Sequence, residues 1–164
     1  GGDEALSIAR MADGSLSRAQ ELAESTDLAA ARETALEFMR SAFLVWSNPE
    51  RASTLVERFA RLGREQIAFT LELVLGWVRD IMVLRTLGAD ADVVNADQRE
   101  QLSKFVAALP DADFESMAVL VEEAIFLLGR NVNPRLVLTV LVQQMESGMR
   151  GRTVGTLLPS LTEA

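Results

Sequence analysis

EQIAFTLELVLGWVRDIMVLRTL, residues 65–87, is apolar around most of its circumference when wound as a helix. At about 100° per residue, Glu65, Glu72, Gly76, Arg79 and Asp80 fall on one narrow stripe. Nearly every other position is Ile, Leu, Val, Phe, Met or Trp77. A helix with so wide an apolar surface must be surrounded by other elements, so it is expected to run through the centre of a bundle. The five stripe residues are expected to face solvent. That makes Arg79 a solvated charge rather than a functional one.

Helical periodicity continues on both sides of this segment, and no stretch shows convincing strand alternation. Helices are predicted at about 3–12, 15–25, 28–46, 50–62, 65–87, 97–109, 113–129 and 134–148, an all-α helical bundle. Two starts share a device, Asn48-Pro49 and Asn133-Pro134. An asparagine oxygen at the N-cap accepts an orphan backbone N–H. Proline suits the first helical position, where its missing N–H had no partner anyway. Asn131 stands just past the preceding helix, where a left-handed residue is often needed and asparagine tolerates one. The run Arg130-Asn131-Val132-Asn133-Pro134-Arg135 can therefore end one helix and begin the next with a very short connection.

The last helix carries Arg135, Thr139, Gln143 and Glu146 on one face and Val137, Leu138, Leu141, Val142 and Met145 on a broad apolar one. Leu136 and Val140 lie beyond the edge of that apolar face. They are read as core or as a seam for a neighbouring subunit. The final stretch, residues 150–164, holds Gly151 and Gly155 and is expected to be a loosely ordered tail. Its Arg150 and Arg152 are too few for a nucleic-acid site.

The composition removes several kinds of chemistry. With no histidine and no cysteine, the chain lacks the commonest general base and metal ligand, thiol nucleophiles, thiolate metal sites and disulfides. Its formal net charge is −8, and of its 16 basic residues only Lys104 is a lysine. Phosphate contacts dominate nucleic-acid affinity, so direct DNA binding is not expected. No uncharged apolar run approaches the roughly 18 residues of a membrane helix, and the chain is expected to be cytoplasmic. The loop DADVVNADQREQ, residues 90–101, places acids like the start of a calcium loop, but Asn95 stands where glycine is needed and Gln101 where glutamate is. It reads better as a helix start, with Asn95 as N-cap and Gln98 as its capping-box partner. Glu122 and Glu123 are adjacent on a helix and diverge, and Ser15, Ser17 and Ser53 have no base. No catalytic centre, cofactor site or metal site is predicted.

Four stretches carry a resemblance. ARMADGSLSRAQEL (residues 9–22), WVRDIMVLRTLGAD (77–90), VVNADQREQL (93–102) and RNVNPRLVLTVLVQQM (130–145) occur in the order found in the clamp-loader subunits of bacterial DNA polymerase III. Over about residues 5–146 the chain resembles the delta-prime type of that family. The resemblance implies that residues 1–26 are the end of an AAA+ lid domain, a helical hairpin. Residues 27–149 would be the collar domain, through which the subunits form a ring. Implied partners are the gamma/tau and delta subunits. The implied parent assembly is a DNA-directed DNA polymerase (a nucleotidyltransferase) whose clamp-loader ATPase places the sliding clamp on primed DNA. In motor subunits the sensor arginine stands third after the glycine. Here Arg18 is fourth after Gly14, which turns its side chain by about 100° and is at odds with an ATP ligand. That spacing, with a chain end soon after the last helix, favours delta-prime over gamma/tau. The missing initiating methionine at Gly1-Gly2 is read as the mark of a piece of a longer protein. The alternatives are the collar domain of gamma/tau or delta, and a free-standing helical adaptor.

Overall fold

The computed structural model describes residues 28–44, 48 and 50–157, together with Gly2. Six α-helices and one short 3-10 turn are present, and there is no strand among the described residues. The helices are α1 (Leu28–Leu44), α2 (Glu50–Ala60), α3 (Arg64–Leu87), α4 (Arg99–Ala108), α5 (Phe114–Gly129) and α6 (Pro134–Met149). The turn Ala96–Gln98 leads into α4.

The centre of the bundle is α3, which packs along α5 and also against α1 and α4. In turn α6 lies against α5, α2 and α1. Ile67, Leu71, Val74, Trp77, Val78 and Ile81 on α3 are almost wholly excluded from water. Each such side chain contributes roughly 1.5–3 kcal/mol relative to leaving it exposed. The facing helices supply Phe38 and Met39, Met117 and Leu120, and Leu138 and Leu141, all buried. Phe38 meets Phe59 edge-on at 5.1 Å, joining α1 to α2. Glu65, Glu72 and Arg79 lie on the exposed side of α3 as the periodicity predicts, and Gly76 is half-buried. Arg79 reaches across to Glu122 on α5 at 2.7 Å.

Asp80 departs from the expectation. It is 3% exposed, because the loop after α3 folds back over it. Its Oδ1 accepts the Val94 N–H at 2.9 Å, and its Oδ2 accepts the Asn95 N–H at 2.8 Å and the Asn95 side-chain N–H at 2.7 Å. Asn95 therefore stands at the N-cap position of the short turn without capping it, or α4, through its side chain. Its side chain is instead buried against α3, bonded to Asp80. Gln98 is not a capping-box partner either, since its Oε1 accepts the Trp77 indole N–H at 2.7 Å. The tertiary partners outcompete the local ones because a buried carboxylate and a buried indole N–H must be satisfied.

The other helix ends follow the sequence. Asn48 Oδ1 accepts the Glu50 N–H at 3.0 Å; Pro49 lies outside the described residues. Asp113 caps α5 through the Ser116 N–H. Both α5 and α6 end in a Schellman motif. At α5 the Val132 N–H reaches the Leu127 carbonyl and the Asn131 N–H the Leu128 carbonyl, with Asn131 at φ 60°. At α6 the same pair of bonds runs from Arg152 to Ser147 and from Gly151 to Gly148. Gly151 sits at φ 67°, and a Cβ there would lie 2.6 Å from the Asp111 carbonyl oxygen, so glycine is required.

Residues 150–157 are not the loose segment expected. Glu146 holds both Arg150 and Arg152. The Gly155 N–H donates to Gln144 Oε1 at 3.0 Å, and the Leu157 N–H donates to Glu123 Oε2 at 2.7 Å. Leu157 is completely buried. Bracketed acids and amides on α5 and α6 thus fasten this strap to the bundle. The rest of the tail, 158–164, lies outside the described residues.

Candidate functional site

Three features gather the residues singled out by the sequence. The first is a polar latch where α1, α3 and the 88–98 loop meet. Asp80 secures the loop backbone as described, and Arg32 on α1 pairs with Asp97 Oδ1 at 2.7 Å. The same guanidinium lies 3.4 Å from Asn95 Oδ1. Arg32 is 7% exposed, and its Nε has no partner among the described residues. Arg99 fixes the loop from its other end by donating to the Ala89 carbonyl at 2.6 Å. These hydrogen bonds tie α1, α3 and the loop together and so order the loop.

The second feature is the junction 130–135. Asn133 Oδ1 accepts the Arg135 N–H at 2.9 Å and the Leu136 N–H at 3.4 Å, and Pro134 opens α6. Arg64, at the start of α3, donates to both the Leu128 and Val132 carbonyls at 2.8 Å. One guanidinium thus ties the end of α5 to the central helix. Arg135 is exposed and pairs with Glu57 on α2 at 2.8 Å. The arginine preference legible in the composition has its physical basis here. A guanidinium forks to two acceptors and is more weakly hydrated than an ammonium. Arg85 does the same at the α4–α5 connection, donating to the Pro110 and Ala112 carbonyls.

No family model, curated protein or solved structure matches the chain.

The third feature is the expected seam on α6. Leu136 keeps 39% of its surface exposed, while Val140 is half-buried and packs against the core. Of the two, Leu136 is the one left open to solvent. Arg18 and residues 3–25, the implied lid remnant, lie outside the described residues. Among the described residues no three His, Cys, Asp or Glu side chains gather where a metal could be held, and no helix is long and apolar enough to cross a membrane.

Two carboxylates among the described residues are held below the ordinary range. Hydrogen bonding from the Ser116 hydroxyl, helped by its backbone N–H and by Arg85, holds Asp113 below the ordinary carboxylate range. The Lys104 ammonium does the same for Glu100 by hydrogen bond and by charge. Both effects stabilise the ionised form of a surface acid, which is the behaviour of a helix cap and an i,i+4 pair. The residues sequence reasoning missed are Arg32, Arg64 and Arg85. Their only advance signal was the scarcity of lysine.

Proposed function

We propose that this chain is the collar domain of a delta-prime-type clamp-loader subunit, an assembly module that helps load the sliding clamp onto primed DNA. The order of the four motif stretches supports this, and so does the all-α bundle. The observation that carries it is the contact between two of those stretches. Trp77 and Asp80, from the second, bind Gln98, Asn95 and Val94, from the third. The fourth stretch supplies both the Asn131 turn and the Asn133 cap. Residues that made the resemblance specific are thus the ones that hold helix connections in place, as expected of residues that define a domain's fold. The collar role makes protein subunits its partners, gamma/tau and delta, with Leu136 in the seam and no direct contact to DNA.

The test is native mass spectrometry of the chain, in its full-length parent, mixed with gamma/tau and delta subunits from the same organism. A complex containing all three is the expected result. Leu136→Asp should lower the yield of that complex while leaving the helical circular dichroism unchanged. If the full-length parent forms no complex with either subunit, the chain is a helical adaptor of another kind and the clamp-loader assignment fails.

A further inference from the structure

At the end of the bundle far from Leu136, the last turns of α1, α4 and α6 leave an open groove. It has two adjoining recesses, of about 450 Å³ and about 250 Å³, which share Phe43, Ala108 and Leu109 in their walls. Leu109 and Met149 form a buried floor. Phe105, half-buried and edge-on to Trp77 at 6.2 Å, backs the smaller recess. Phe43 stands between the two with 36% of its surface exposed. A large aromatic ring with about a third of its surface open to solvent at a helix end suits a protein-docking anchor.

The rim says what would dock. The chain as a whole carries a net charge of −8, yet the smaller recess is bordered by Arg40 and Lys104 with no acid in its lining. Arg40 makes no ion pair with a described residue. Lys104, the sole lysine, pairs only with the fully exposed Glu100 at 2.8 Å, a solvent-screened contact that a partner's carboxylate can replace at little cost. On the larger recess Arg150 is neutralised by Glu146 and Asp111 adds an acid, so the positive potential is concentrated at the Arg40–Lys104 end.

We infer that this groove is a docking site for an acidic amphipathic helix of another protein. Its apolar stripe would fill the two recesses on either side of Phe43, and its flanking carboxylates would meet Arg40 and Lys104. Two adjoining, mainly apolar recesses suit the helix-in-groove mode of recognition, in which successive apolar anchors fill neighbouring pockets. The groove is independent of the collar assignment, since it lies about 20 Å along α6 from Leu136, at about 1.5 Å of rise per residue.

The test is fluorescence anisotropy of a labelled helical peptide about 14 residues long, four turns, with leucines at i, i+3, i+4 and i+7 and glutamates on both flanks. It is titrated with the full chain at low salt. Two control peptides have lysine in place of the glutamates, or the same residues with the stripe scrambled. The glutamate peptide is expected to bind and both controls to bind at least tenfold more weakly. Arg40→Glu with Lys104→Glu should weaken binding by about tenfold, and added salt should do likewise. Phe43→Ala should cost about tenfold or more. Ala108→Glu should abolish binding, and Leu136→Asp should leave it unchanged. Absence of binding by the glutamate peptide, equal binding by the lysine peptide, or indifference to Phe43→Ala in a chain with intact helical signal each overturns the docking site. None of these outcomes bears on assembly with gamma/tau and delta.

Discussion

Removing the Asp80 carboxylate, by Asp80→Ala, should be among the most damaging single changes in the bundle. The carboxylate accepts three hydrogen bonds: from Asn95 N–H and Nδ2–H, which are buried, and from Val94 N–H, which is partly so. A buried donor left without an acceptor costs about 1–3 kcal/mol, and bonds to a charged acceptor stand at the upper end. Two such donors, with a smaller loss at Val94 where water can enter, give about 3–5 kcal/mol. That is a large share of the 5–15 kcal/mol typical of a domain. Asp80→Asn keeps one acceptor and should cost less, about 1–3 kcal/mol. The internal control is the neighbouring stripe residue. Arg79→Ala removes an ion pair whose side chains are 61% and 51% exposed, and should cost under about 1 kcal/mol. Urea unfolding followed by circular dichroism measures all three. A double-mutant cycle with Asn95→Ala should return a coupling of about 1–3 kcal/mol. If Asp80→Ala costs no more than Arg79→Ala, or if the cycle is additive, the latch does not hold the loop and the account of Asp80 is wrong.

Two further changes test the helix ends. Asp113→Ala should cost about 1 kcal/mol by removing the α5 cap. Because folding holds the pKa of the Asp113 carboxyl below its ordinary value, its contribution is complete above the unfolded value and is lost as pH falls through the depressed one. The wild type should therefore show a loss of stability below about pH 4 that is smaller in the alanine variant, and identical acid limbs would refute it. Gly151→Ala should destabilise the chain by more than about 1 kcal/mol, through positive φ and the clash with the Asp111 carbonyl, and an unchanged urea midpoint would show that the α6 terminus can move aside.

Legibility in the sequence divides by distance along the chain. The helix spans from residue 28 onward, the Asn48 and Asn133 caps, the left-handed Asn131 and the central position of α3 were readable, because each depends on residues within about four positions of one another or on an apolar pattern around one helix. Leu136 at the edge of the α6 face was readable for the same reason, whereas Val140 was not separable from it until the core it packs against was in place. The groove at Phe43 was not readable at all, since it is formed by the ends of three helices that are remote in sequence.

What the sequence determined by itself was therefore the set of helices, their turns and the side of each that seeks the core. Tertiary structure alone decided the fates of the polar residues. Periodicity treats a carboxylate on a stripe as solvated, and Asp80 looks no different from Arg79 until the loop 14 and 15 residues later closes over it. Arg32 finds Asp97 across 65 positions and Arg64 finds Val132 across 68. The strap is held by Glu123, 34 positions before Leu157. A polar group can be satisfied by water or by a distant partner. Only the packed chain fixes which, because burial is what makes the distant partner obligatory.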